Sequence, residues 1–125
     1  MKSKPRKVYE RVYIHAAKTR TIKDGWVSVI HAMDAFSEYA FNPVINETPE
    51  ITIDVLNQLF DSILKDYNPL SHPKQIVFVT NLPEKYEQLI KQTKAAHHRF
   101  VFNKQATNNA MKELFRLMQY EMVEL

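Results

Sequence analysis

The sequence offers few side chains of the types and spacing that chemistry at a site requires. It holds no cysteine, which excludes disulfides and thiolate metal sites, and its one glycine excludes phosphate-binding loops of the G-x-G-x-x-G or Walker type. His97 and His98 are adjacent but have no further ligand at a metal-binding spacing, so we expect both at the surface. The chemistry that the sequence does indicate is electrostatic, through its lysines and arginines.

Charge is distributed unevenly along the chain. Residues 1–23 hold eight Lys/Arg and one acid, residues 24–70 hold eight acids and one lysine, and residues 71–125 carry a net charge of +3. A basic arm of this kind is typical of a segment that contacts a polyanion such as nucleic acid. A solvated tail is the alternative, and charge alone leaves both open. The residues that we predict to contact DNA, weakly and without sequence preference, are Lys2, Lys4, Arg6, Lys7, Lys91, Lys94, Arg99 and Lys104.

Size and composition are those of one globular domain. The chain has 125 residues, of which 45% are apolar and 25% charged. It contains no apolar run near the ~20 residues of a membrane span and no signal-peptide pattern. Together with the absence of cysteine, these features predict a cytoplasmic protein without a membrane partner.

The first third of the chain is typical of three consecutive antiparallel strands. Val8 to Ala17 alternates between apolar and polar side chains, and the apolar, β-branched run from Trp26 to Ile30 indicates a strand that is buried on both faces. We therefore expect Trp26 in the core. A turn at Met33-Asp34-Ala35, in which Asp34 has a structural role, leads to a further strand from Phe36 to Ile45.

Helices alternate with strands in the rest of the chain. Thr48-Pro49-Glu50 is a helix start, and the apolar stripe that follows it continues to Tyr67. Gln75–Thr80 is typical of a central strand, and Asn81 with Glu84 approximates a capping box for a second helix. A brief strand at Arg99–Phe102 precedes a third helix from about Gln105. This order predicts an α/β fold with a five-stranded mixed sheet, three antiparallel strands followed by helix–strand alternation, flanked by helices.

Three stretches resemble recurring patterns of one family. They are Asp24-Gly25-Trp26, the turn at residues 33–37, and the run from Asn108 to Glu113, with Phe115 close behind. The chain resembles the catalytic core of the retroviral-integrase superfamily, most of all that of bacterial insertion-sequence transposases. The resemblance covers roughly residues 8–118 and implies a ribonuclease-H-like fold. On this interpretation residues 1–7 are a basic tail and residues 8–125 an integrase-core-like domain.

The resemblance also implies a catalytic site, and the sequence departs from it. Family members hold two magnesium ions on three carboxylates, which activate the attacking oxygen and stabilise the leaving oxygen in DNA cleavage and joining. The matching positions here are His15, Asn81 and Glu113, and Glu113 alone is a carboxylate. We therefore expect a degenerate site with no resident cofactor and, at most, weak metal binding at Glu113.

Each of these positions also has an ordinary interpretation. His15 is then a core residue, Asn81 a helix cap and Glu113 a solvated helix residue. Two functions follow from the sequence. The first is a transposase-core relative from a mobile element that retains DNA binding or assembly but has lost most or all enzymatic activity in DNA integration. The second is a protein-interaction or self-association module, such as a homodimer, with no nucleic-acid role.

Overall fold

Strand β1 (Arg11–Thr21) lies in the middle of a mixed β-sheet. The computed structural model describes residues 4–118 and 123–124. The strand order is β3-β2-β1-β4-β5, in which β1 is antiparallel to β2 and parallel to β4. The remaining strands are β2 (Gly25–Asp34), β3 (Val44–Asn46), β4 (Val77–Thr80), β5 (Arg99–Phe102) and β6 (Val123–Glu124), and the helices are α1 (Ile53–Leu64), α2 (Glu87–Ile90) and α3 (Lys104–Met118).

The predicted α/β class and mixed sheet are confirmed. The first two strands are antiparallel neighbours, and β4 pairs on both sides, with β1 and with β5, so it lies inside the sheet as its apolar run indicates. The short strand β6, which the sequence did not indicate, pairs with Ala17 and Lys18 in the part of β1 that extends beyond β4.

Alternate residues of β1 point to opposite faces of the sheet and so build two separate layers. Val12, Ile14 and Ala16 join the hydrophobic cluster that contains the buried side of α1, and we call this side the α1 face. Tyr13 and His15 point to the other side, where Phe115 of α3 contacts His15, and we call it the α3 face. Charged side chains near the sheet therefore lie on one or the other of these two faces.

The turn after β2 differs from its prediction. Strand β2 continues to Asp34, so the turn lies at residues 35–37, and the predicted strand from Phe36 to Ile45 is reduced to a bridge at Ala40 and the three residues of β3. The Asp34 carboxylate accepts hydrogen bonds from the backbone N–H and the hydroxyl of Ser37, both at 2.8 Å, which closes the turn directly after the strand. The expected structural role of Asp34 is confirmed.

The predicted start of α1 was also wrong. The helix begins at Ile53, with Thr52 as its N-cap, because the carbonyl oxygen of Thr48 is already engaged by β2. It accepts hydrogen bonds from the backbone N–H of Ser28 at 3.1 Å and from the Ser28 hydroxyl at 3.0 Å. The second helix is short, with a 3₁₀ turn at Glu84–Tyr86 before α2.

Two side chains lie where the sequence did not place them. Trp26 is 42% exposed rather than in the core, and the Lys18 ammonium lies 5.3 Å from its ring centroid. His98 is 6% exposed rather than at the surface, because its Nδ1 accepts a hydrogen bond from the backbone N–H of Ile76 at 2.9 Å. His97 is exposed as expected. None of the described helices has the length and apolar character that a membrane crossing requires.

Candidate functional site

The three positions that match the family triad lie on β1, directly after β4, and on α3. Ile14 is the register partner of Thr80. The residues that come next in each segment, His15 on β1 and Asn81 directly after β4, are therefore neighbours. Glu113 lies in the second half of α3. The fold therefore brings His15 and Asn81 to neighbouring strands, and the role of each depends on the hydrogen bonds and packing of its side chain.

Asn81 joins β4 to β1 through its side chain. Its Oδ1 accepts a hydrogen bond from the backbone N–H of Ala16 at 2.7 Å, and its Nδ2 donates to the carbonyl oxygen of Ala16 at 2.8 Å. The amide thus adds one side-chain rung to the ladder beyond Thr80, and it does not cap a helix as the sequence suggested. With both groups of the amide engaged, Asn81 has a structural role in this geometry.

His15 belongs to an aromatic cluster on the α3 face. It is buried, and its ring lies 4.5 Å from the ring of Phe115 in an edge-on arrangement. His31, its register partner on β2, lies 5.4 Å from the same ring. Burial lowers the pKa of His31, which favours the neutral imidazole. His15 therefore helps to anchor α3 to the sheet, which agrees with its interpretation as a core residue.

Glu113 points into solvent on the far side of α3. Met111 is buried and Phe115 contacts the sheet, whereas position 113 lies about 200° around the helix from Met111. The Glu113 carboxylate is 66% exposed and is ion-paired with Arg116 of the next turn. The hydrogen bond from Arg116 lowers the pKa of Glu113. This geometry directs its charge away from His15 and Asn81.

The donor set at these positions does not fit magnesium. Mg²⁺ prefers several oxygen ligands, whereas His15 is an imidazole packed against a ring, Asn81 has its oxygen bonded to Ala16, and Glu113 faces solvent. Among the described residues, no three His, Asp or Glu side chains lie together in a way that could hold a metal ion.

Comparison with known proteins adds no family assignment. No protein-family model and no curated protein matches this chain. The resemblance to integrase cores therefore depends on the sequence patterns and the order of the elements.

Basic side chains form a row at one end of the sheet. Arg11, Val77 and Arg99 are register partners across β1, β4 and β5, so the two arginines have their Cα atoms about 10 Å apart on the α3 face. We call this the basic row. Arg99 is exposed and Arg11 half-buried. Of the predicted arm, the exposed Lys4, Arg6 and Lys7 precede β1 at this end, whereas Lys2 lies outside the described residues.

The other predicted DNA contacts are placed differently. Lys91 lies 3.5 Å from the Glu87 carboxylate, and Lys94 is ion-paired with Asp61 of α1, so both lysines already have acidic partners. Lys104 is exposed at the start of α3, at the opposite end of the sheet from the basic row. Of the predicted set, Lys91 and Lys94 therefore lie beside acids, and Arg99 lies in the basic row.

A polar groove runs beside α3 on the same face. It encloses about 480 Å³ and is open to solvent, with the half-buried ring of Tyr13 on the sheet side and side-chain amides on the helix side. Tyr13 shares a row with Val79 and Val101, one row above Arg11 as its strand alternates. The residues that line this α3 groove are Tyr13, Asn103, Gln105, Ala106, Asn109 and Ala110.

Two acidic side chains of the middle segment lie on the other side of the sheet. Asp54 and Asp61 are exposed on α1, whose buried side packs on the α1 face of the sheet. These two carboxylates therefore lie away from the basic row. Sequence reasoning identified Arg99 but missed Arg11 and Tyr13; the alternation along β1 was the signal that places both on one face, and the position of α3 decides which face that is.

Proposed function

We propose that this chain is an integrase-core-like domain, related to the transposases of mobile elements, that binds nucleic acid in the cytoplasm without metal-dependent catalysis. The observation that carries the proposal is the basic row beside the α3 groove. The strand order β3-β2-β1-β4-β5, with β2 antiparallel to its neighbours, and the element order support the ribonuclease-H-like fold that the sequence resemblance implies.

The basic row and the groove supply the two kinds of contact that nucleic acids use. Arginine forms bidentate hydrogen bonds with phosphate, so Arg11 and Arg99 are suited to the backbone. The ring of Tyr13 can stack on a base, and the amides of Gln105 and Asn109 can hydrogen-bond to base edges. The arm with Lys4, Arg6 and Lys7 would add phosphate contacts that carry no sequence preference.

The contacts of the side chains at the three triad positions support the absence of catalysis in this proposal. Asn81 is bonded to Ala16, His15 packs on Phe115, and Glu113 pairs with Arg116. Cleavage by two metals requires anionic oxygens that converge on the ions. In this domain those positions hold the fold together or face solvent.

The test is the binding of short labelled DNA, duplex and single-stranded, measured by fluorescence anisotropy at several salt concentrations. We expect dissociation constants of about 10⁻⁴ to 10⁻⁶ M near physiological salt, with affinity that falls as salt rises. The absence of binding at low salt, or an affinity that does not change with salt concentration, would contradict the electrostatic contact on which this function depends.

Self-association is the second candidate, favoured by exposed apolar side chains at the far end of the β1–β2 hairpin. Ile22 is fully exposed at the hairpin turn, and Trp26 is 42% exposed at the start of β2. Exposed apolar groups of this size are suited to a contact between copies. Sedimentation equilibrium of the chain and of Trp26→Ser tests it: a dimer that Trp26→Ser dissociates supports this function, and a monomer at all concentrations excludes it.

A further inference from the structure

A second cavity lies on the α1 face, at the end of the sheet where β1 begins. It encloses about 480 Å³, within the range of sites for small ligands. Its walls combine aromatic rings with carboxylates, a different chemistry from that of the basic row. The residues of this Tyr9 cavity that matter for its chemistry are Tyr9, Asp34, Tyr39, Phe41, Lys65 and Asp66.

Aromatic rings form one side of the Tyr9 cavity. The ring of Phe41 lies 6.2 Å from that of Tyr9 and 5.2 Å from that of Tyr39, the latter at an interplanar angle of 88°. Tyr9 and Phe41 are buried, whereas Tyr39 is 61% exposed at the opening. Aromatic faces carry partial negative charge, so a cavity lined by three rings favours a cation.

Negative charge is added from the α1 side. Asp66 follows the end of α1, where the helix carries about half a negative charge on its carbonyl groups. The buried Asp34 carboxylate reaches the cavity from the end of β2. Burial, and then the charges of Asp66 and Asp34, raise the pKa of the Tyr9 phenol. Lys65 is the opposing charge in the lining.

Hydrogen bonds fix Tyr9 in an uncommon backbone conformation. Its φ is 67°, in the left-handed region that side chains other than glycine seldom adopt. The Asp34 carboxylate accepts a hydrogen bond from the Tyr9 backbone N–H at 2.8 Å, and the Tyr9 hydroxyl donates to the carbonyl oxygen of Ile63 at 2.8 Å. The ring is therefore held in position at the cavity before any ligand binds.

We propose that the Tyr9 cavity binds a small organic cation of the alkylammonium class. Such a group has an apolar surface that fits between rings and a diffuse positive charge that matches aromatic faces and carboxylates. The proposal does not depend on the basic row, because the cavity and the basic row lie on opposite faces of the sheet.

The first experiment compares choline with its neutral carbon isostere, 3,3-dimethylbutan-1-ol, in ¹H–¹⁵N NMR titrations of the full chain. We expect choline to shift the backbone signals of Tyr39 and Phe41 and to bind about fivefold more tightly than the neutral alcohol, the difference that a cation–aromatic contact supplies. Equal binding of the two molecules, or shifts that never saturate or lie elsewhere, would overturn the proposal.

Matched variants test the contribution of individual cavity side chains to choline binding. Tyr39→Leu and Asp66→Asn remove an exposed ring and an exposed charge, and each should weaken choline binding several-fold, whereas Lys65→Ala should strengthen it. Phe36→Leu and Asp24→Asn are the controls, because both residues are exposed and lie outside the cavity lining. Controls that weaken binding as much as the cavity variants would contradict the proposed site, and far-ultraviolet circular dichroism confirms that each variant folds.

Discussion

The side-chain amide of Asn81 is hydrogen-bonded to both backbone polar groups of Ala16, at 2.7 Å to the N–H and 2.8 Å to the carbonyl oxygen. An amide can do both because it carries an acceptor and a donor, whereas an ionised carboxylate is an acceptor alone. At the position that the sequence resemblance matches to a metal-binding aspartate, this chain has a side chain that extends its sheet. The two hydrogen bonds to β1 give a structural reason for an asparagine at position 81.

This relationship predicts the effect of Asn81→Asp. At pH 7 the new carboxylate would keep the bond from the Ala16 N–H but face the Ala16 carbonyl oxygen without a proton, so we expect a loss of about 1–3 kcal/mol in the free energy of unfolding. The measurement is urea denaturation, with the exposed Asn42→Asp as the control. Equal stability of Asn81→Asp and the parent chain would show that the bond to the carbonyl contributes nothing.

The buried imidazole of His98 predicts a pH dependence of stability. Burial, and then the neighbouring His97, lower the pKa of His98 to about 4, and its Nδ1 must stay unprotonated to accept the bond from Ile76. The unfolded chain, with a histidine pKa near 6.5, binds more protons between pH 4 and 6.5. The free energy of unfolding should therefore fall by on the order of 2–3 kcal/mol as the pH is lowered through this window.

The contribution of His98 is separated by a matched pair of variants. His98→Asn keeps an acceptor near the position of Nδ1 but does not titrate, so its unfolding free energy should vary less between pH 4 and 6.5. His97→Asn changes an exposed imidazole and should leave most of that variation in place. A parent-like pH dependence in His98→Asn would assign the effect to other groups.

The position of Glu113 predicts that carboxylates introduced at positions 15 and 81 do not create a metal site. In the double variant His15→Asp with Asn81→Asp, Glu113 would still point to solvent beside Arg116, so isothermal titration calorimetry should detect no tight magnesium or manganese binding. We likewise expect no DNA nicking or strand transfer by the parent chain with either metal. Metal binding by the double variant that is lost on adding Glu113→Gln would mean that α3 can turn Glu113 towards the sheet.

Local sequence patterns predicted the helices and strands well where one apolar face or one apolar run determines the element. Arg99–Phe102 has its predicted bounds, and the apolar run before Thr80 is an interior strand. The predicted start of α1 was wrong because the helix signals at Thr48 compete with hydrogen bonds to Ser28, which is twenty residues away. Such contacts are set by tertiary structure and leave no local pattern.

The candidate sites show the same division. The prediction of a degenerate triad came from residue types and the family resemblance, whereas the bond from Asn81 to Ala16 and the outward direction of Glu113 depend on how β4 and α3 pack. The Tyr9 cavity was missed entirely, because a positive φ at a tyrosine has no signature in the sequence. Trp26 was expected in the core on hydrophobicity, yet it is 42% exposed near the start of β2, beside the hairpin turn.

The most direct measurement of the central claim is DNA binding by the double variant Arg11→Ala with Arg99→Ala, which removes the basic row, against Lys85→Ala with Lys91→Ala, which removes the same charge from elsewhere. By fluorescence anisotropy we expect the first variant to bind several-fold more weakly, with a salt dependence reduced by about one unit of slope for each phosphate that the protein no longer neutralises. The control variant should change less. Equal losses of affinity in the two variants would show that net charge alone attracts DNA, and unchanged binding in the first would contradict the proposed interface.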